Sequence, residues 1–217
     1  MPMKQTTSTI RIRRGQLWHK AVLGMGLLVL ATSFGCLGRS PVAEHFVLGM
    51  GAVPAAQSPA TGVEAGLSDL SIVIGPVRLP GYLDRPQLAR LEAGGAVELD
   101  EFSRWLGGFE DNFLRAISLD VARRTDSIRV TTYPSKAPFP ADVRVKLHVD
   151  DLIAEGRSSL RVRIRWAIVR TGSDEAPELF LMEESVPLAG KSNLELVAAY
   201  DAVLSELGAR ITAALPR

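Results

Sequence analysis

The chain has 217 residues, with 25 lysines and arginines against 24 aspartates and glutamates, three histidines and a single cysteine. Five of the basic residues and none of the acidic ones precede that cysteine, Cys36, so the remainder is acidic by four. That balance excludes the global basic excess of a nucleic-acid-binding protein, and a lone thiol excludes a disulfide framework.

Lys4, Arg11, Arg13, Arg14 and Lys20 lead into an uncharged apolar run, Ala21–Ala31. The run is shorter than the roughly 20 residues a membrane-spanning helix needs. A basic segment, a short apolar segment and then small residues is the order of a secretory signal, which predicts residues 1–35 as a signal peptide. The signal ends at Ser33-Phe34-Gly35-Cys36. A secreted protein has little use for one unpaired thiol, whereas a cysteine that follows a cleavage point can be acylated. The segment resembles a bacterial lipoprotein signal: Gly35 and Cys36 fit that pattern, and Ser33 and Phe34 depart from it. The competing readings are an ordinary signal cut near Ala55-Ala56 and a twin-arginine signal on Arg13-Arg14, where Gln16 stands in place of the phenylalanine that pathway wants. Leu37, not aspartate, follows the cysteine. A single acyl chain gives only marginal membrane binding, and stable anchoring needs more than one.

Residues 36–68 read as the lipidated cysteine and a tether, rich in Gly, Ala, Pro and Ser. A flexible tether of about 30 residues reaches roughly 30 Å. Its apolar cluster at 45–48, His-Phe-Val-Leu, is a candidate first strand that would dock on the sheet and shorten the leash. The folded domain is expected over 69–217.

Leu70–Val77 reads as a buried strand bounded by Gly75-Pro76. The prolines and glycine of Leu79–Pro86 forbid a regular element there. Gln87–Leu91 is either one short turn or an extended piece, Gly94-Gly95 a turn, and Ala96–Leu99 a short strand. Asp100–Arg124 is expected as a long helix, with Asp100 as N-cap and an apolar stripe of Phe102, Trp105, Leu106, Phe109, Phe113, Ala116, Ile117 and Val121. Gly107-Gly108 would weaken it by about 1 kcal/mol per glycine. Ile128–Tyr133 reads as a strand that enters a proline-rich turn, 134–140. Val143–Val149 and Leu160–Ile168 alternate apolar with charged residues, the period of strands with one buried face. Asp150, Asp151, Glu155 and Gly156 would form the hairpin loop between them. Leu179–Leu188 is a further strand. Ser192–Leu215 is a second long helix, with Ser192 and Glu195 at capping-box spacing and a stripe of Val197, Tyr200, Leu204, Leu207, Ile211 and Leu215. The sum is an α+β two-layer sandwich: a mainly antiparallel or mixed sheet of about five strands under two long helices.

Catalytic constellations are hard to find. Past the tether the only histidine is His148, on the polar face of a strand. A nucleophile–base pair or a zinc site needs several converging groups, and no phosphate-cradling glycine motif is present. No catalytic, cofactor-binding or metal residue is assigned, and the paired Asp150-Asp151 reads as a charged turn. The candidate interaction surface is basic: Arg144, Lys146, Arg161, Arg163 and Arg165 share one face if their strands pair. That face would meet acidic partners or anionic headgroups, unless the strand of Glu183 neutralises it by cross-strand pairs.

Ile74-Gly-Pro-Val-Arg-Leu-Pro-Gly-Tyr-Leu-Asp-Arg-Pro-Gln-Leu88 resembles the signature of the ABC-type transport auxiliary lipoproteins, the PqiC-like family. Arg104-Trp105, Trp166 and Leu196-Val-Ala-Ala-Tyr200 match further family positions in order, over about residues 70–215. The resemblance implies a lipoprotein on the periplasmic face of the outer membrane. Its partners would be an MCE-domain protein and inner-membrane transporter components of a system that moves phospholipid between two membranes. It implies no enzyme activity, no cofactor and no nucleic acid, and a homo-oligomer is compatible with it. Tyr82, Leu83, Asp84 and Arg85 form the candidate docking loop. The alternative is that this loop is a clasp with Tyr82 and Leu83 in the core. The competing function is a periplasmic carrier that holds lipid or another hydrophobe in its own apolar cavity.

Overall fold

The computed structural model describes residues 42–50, 67–135 and 137–216; the signal segment, Cys36 and most of the tether, with Ala55-Ala56, lie outside the described residues. The elements run β1 (Glu44–Phe46), β2 (Ile72–Arg78), β3 (Gln87–Leu91), a 3-10 turn (Ala93–Gly95), β4 (Val97–Trp105), α1 (Phe109–Thr125), β5 (Val130–Thr132), β6 (Val143–Glu155), β7 (Ser159–Arg170), β8 (Glu178–Pro187) and α2 (Asn193–Ala213). The class is α+β, with eight strands where the periodicity suggested about five. The strands not assigned from periodicity are the short pieces β1 and β3, of three and five residues, too brief to show a period of their own.

β6 is the spine. Along one side it pairs antiparallel with β7 from Val143↔Arg170 to Glu155↔Ser159. Its other side is shared: β2 lies parallel to its first half, and β3 meets its end at Arg90↔Ala154. The sheet therefore runs β8–β7–β6 and then forks into β2–β5 and β3–β4–β1. Alternation sets the faces. Val143, Val145, Leu147 and Val149 of β6 and Leu160, Val162, Ile164, Trp166 and Ile168 of β7 are buried in the core with the helices, and the arginines between them face outward. The six stripe residues of α2 are all buried. Ser192 caps this helix by accepting from the Glu195 N–H, and the Glu195 carboxylate accepts from the Ser192 N–H at 2.9 Å.

Three expectations need correction. The long helix from Asp100 does not form: residues 97–105 are a strand, and the helix begins at Phe109. Gly107 and Gly108 sit at φ +80° and +86°, a region that ends a helix rather than weakening it. The residues ahead of them are claimed by antiparallel pairing with β3. Trp105 still packs on Phe109, at 5.3 Å between ring centroids, so a strand residue supplies the first member of what reads as a helical stripe. Phe102 and Leu106, the other expected members, are exposed. Second, Ile128 is 96 % exposed and β5 starts two residues later. Third, Asp150, Asp151 and Glu155 belong to β6 itself. A bulge between Val149 and Asp151 absorbs the break in alternation, and the turn is only residues 156–158.

The segment 42–50 is built into the domain. β1 lies parallel to β4, with Phe46↔Trp105, and Leu48 is fully buried. The Leu48 N–H donates to Asn112 Oδ1 at 3.3 Å, its carbonyl accepts from Arg115, and the Gly49 N–H donates to Asp201 Oδ1 at 2.7 Å. Gly49 takes φ +71°, and a Cβ there would meet Ala116 Cβ at 3.0 Å. Gly49→Ala therefore loosens the segment from the helices, at a cost of about 1–2 kcal/mol. Hydrogen exchange should show lost protection at the Leu48 and Gly49 amides, with the β6–β7 amides unchanged.

Candidate functional site

The docking-loop residues divide in two. Leu83 is 3 % exposed, and Tyr82 is half-buried with its hydroxyl accepting from the Leu152 N–H at 3.1 Å. From the helix layer, the Tyr200 hydroxyl donates to the carbonyl of the same Leu152 at 3.2 Å. Burial raises the pKa of both phenols above 10.0 and keeps them neutral. Tyr200 also stacks edge-on against Trp105 and Phe109, at 5.4 and 5.8 Å. Asp84 and Arg85 are exposed, and neither makes an ion pair among the described residues.

The outward face of the sheet is read row by row from the register. Lys146 lies beside Ala167 and then Leu179. Arg78 lies beside His148, Arg165 and Leu181. Asp151 lies beside Arg163 and Glu183. Three of the five candidate cations are engaged within the face. Arg165 is bidentate on Asp150, at 2.7 and 2.6 Å. Arg163 pairs with Glu183 at 2.7 Å and lies 3.8 Å from Asp150. Arg161 pairs with Glu155 at 3.0 Å. His148 Nε2 is 3.3 Å from Asp150. The hydrogen bonds from Arg165 hold the Asp150 carboxyl below its usual pKa, and Asp150 in turn raises that of Arg165. Arg144 reaches over the Tyr133 ring, 6.0 Å from its centroid. Among the described residues no carboxylate is in ion-pair range of Arg144 or Lys146. The bulge lets Asp151 share the outward face with Asp150, and a run of two aspartates between alternating strands was its signal in the sequence.

Two features lay outside the sequence reading. Arg90 is 4 % exposed and donates to the Gly156 carbonyl at 3.4 Å and to Asn193 Oδ1. Asn193 Nδ2 in turn donates to Asp100 Oδ2 and Ser103 Oγ, at 2.8 and 2.7 Å. This network ties β3, β4 and the start of α2 together, and desolvation lowers the Arg90 pKa. An arginine in an unassigned five-residue stretch gave no sign of burial. The second feature is the end of β8. Leu179 and Leu181 are 80 % and 48 % exposed, and an open groove of about 430 Å³ is lined by Trp166, Phe180, Leu181, Arg210, Ala213 and Ala214. Among the described residues, no group of three or more His, Cys, Asp or Glu is placed to hold a metal ion, and no helix is long and apolar enough to cross a membrane.

The site thus sits on an open mixed sheet with two helices over its core face. A family model for the ABC-type transport auxiliary lipoprotein component matches residues 50–212, and the chain belongs to that family. It is a family of transport auxiliaries, not an enzyme class. No curated protein matches the chain. One similar crystal structure, of an uncharacterized protein, has TM-score 0.59 at 8 % identity and covers 79 % of this chain and 97 % of that one. Another is of protein XCC0632 from Xanthomonas campestris, of the DUF330 family, with TM-score 0.53 at 10 % identity, covering 65 % and 81 %. At those identities the likeness is one of fold.

Removing the Tyr200 hydroxyl tests the two-sided grip on Leu152. Tyr200→Phe keeps the ring contacts and loses one hydrogen bond, for about 1 kcal/mol. Because the folded state raises both phenol pKa values above 10.0, their contribution to stability is complete below that pH and is lost as pH rises through the folded values. Urea unfolding from about pH 8 to pH 11 should show stability falling at the alkaline end, and less steeply in Tyr200→Phe.

Proposed function

We propose that this protein is a periplasmic lipoprotein, anchored in the outer membrane through acylated Cys36, that docks an MCE-type ABC system for phospholipid transport between membranes. The observation that carries this reading is family membership over residues 50–212, joined to a sole cysteine placed directly behind a basic and then apolar leader. Leu37, in place of an aspartate after the cysteine, supports the outer rather than the inner membrane. The carrier reading requires a cavity that buries most of its ligand, whereas the groove beside β8 is open along one side. Within the docking reading the available contacts are Asp84 and Arg85 on the loop and Arg144 and Lys146 on the sheet. Tyr82 and Leu83 serve the core, and the charges of Arg161, Arg163 and Arg165 are spent within the face.

Mass spectrometry of the mature polypeptide should give an acylated N-terminal cysteine, and density fractionation should place the protein with outer membrane. Cys36→Ser should move it to the soluble periplasmic fraction. A mature wild-type chain that is unacylated and soluble overturns the reading. Detergent-solubilised protein should also co-purify with an MCE-domain protein, several-fold less in Arg144→Glu/Lys146→Glu, whereas Arg85→Ala tests the loop separately.

A further inference from the structure

β8 is an edge strand. It pairs with β7 from Ser159↔Pro187 to Ile168↔Glu178, and among the described residues no strand covers its other side. A free edge is a template for another chain, which proteins usually blunt with charge, proline or a bulge. The second half of β8 has such devices in Glu183, Glu184 and Pro187. Between Glu178 at its start and Glu183, the edge has none: Leu179-Phe180-Leu181-Met182 is a continuous apolar run, with Leu179 80 % and Leu181 48 % exposed on the outward face.

The inward face of the same edge is also incomplete. The groove of about 430 Å³ lies between β8 and the last turn of α2. Phe180 stacks on Trp166 at 5.3 Å with the rings 13° apart. Trp166 is 4 % exposed, and its indole N–H has no hydrogen-bond partner. A strand added about 4.8 Å beyond β8 would send its inward side chains into this groove. Its outward side chains would cover Leu179 and Leu181.

Charge and position narrow the occupant. Among the described residues, Asp174 and Glu178, where the chain enters β8, make no ion pair, and Glu175 reaches Arg170 only at 3.8 Å. That end asks for a cation. β8, β5 and β1 end the three arms of the sheet, and β8 is five pairings away from β1, the strand nearest in sequence to Cys36. A bilayer offers no ordered donors and acceptors to match a strand edge; a polypeptide does.

We propose that β8 accepts a ninth strand from a partner polypeptide: an extended, alternating apolar segment flanked by lysine or arginine. It places one side chain in the groove against Phe180 and Trp166. The proposal deepens the docking reading and rests on it for the existence of a partner.

The test is a photo-crosslinker, p-benzoylphenylalanine, at position 179 of the full chain in producing cells, with mass spectrometry of the crosslinked peptide. The expected adduct is one stretch of a different polypeptide, alternating and apolar, with a basic residue beside it. Its yield should fall about tenfold in Leu181→Lys and stay unchanged in Leu194→Lys, which alters an exposed leucine at the far end of α2. Thermal melts of both variants should match the parent, since both side chains are exposed. No adduct, an adduct with a second copy of this chain, an adduct with lipid, or an adduct indifferent to Leu181→Lys overturns the proposal. Acylated protein that sediments with membrane but gives no adduct refutes strand addition and leaves anchoring standing. An adduct from unacylated protein does the reverse.

Discussion

The bulge in β6 fixes which residues face which way. Alternation from Val143 would carry inward positions on to Asp151 and Ile153. One extra residue at Asp150 moves them to Leu152 and Ala154, both fully buried. A register error of one residue inverts every following side chain, so the position of that residue needs holding. Tyr82 and Tyr200 hold it by bonding the N–H and the carbonyl of Leu152. One phenol comes from the proline-rich loop and the other from α2, so loop, strand and helix are locked at a single residue. This gives Tyr82 a structural reason to be where it is, without any partner.

The same bulge decides the character of the outward face. It turns Asp151 outward as well as Asp150, so that two carboxylates instead of one lie among Arg161, Arg163 and Arg165. Exposed pairs of this kind contribute little to stability. Their larger effect is on recognition: a cation held bidentately by its neighbour is poorly placed to bind another molecule. The basic stripe in the sequence thus resolves into a neutralised centre and a smaller free cluster around Arg144 and Lys146.

The long elements were legible because their periods are long enough to read. The hairpin of β6 and β7, the strand β8, and α2 with its capping box all follow from alternation or from three- and four-residue steps. The failures have a common cause. Residues 97–105 carry aromatic spacing that suits a helix, and their state is decided by pairing with β3, whose five residues carry no pattern. Gly107-Gly108 was visible as a weak point, but weakness and termination differ only through φ, which composition does not report. Of the candidate site, the chemistry of single residues was readable and their company was not. Nothing in the sequence placed Asp150 against Arg165, Arg90 against Asn193, or Trp166 beneath an open edge.

The β1 and β8 edges of the sheet are treated differently, and the difference carries the functional argument further than the basic face does. The β1 edge is short, and the chain that follows it is bound through Leu48 and Gly49 to both helices. The β8 edge is ten residues long and apolar on both faces over Leu179–Met182. A domain this small has few ways to bury Leu179 and Leu181, because β7 already lies on one side of them and no described helix crosses the outward face. Leaving them bare would invite indiscriminate strand pairing, whereas a specific added strand would cover the leucines, fill the groove and bring a cation to Asp174 and Glu178 together.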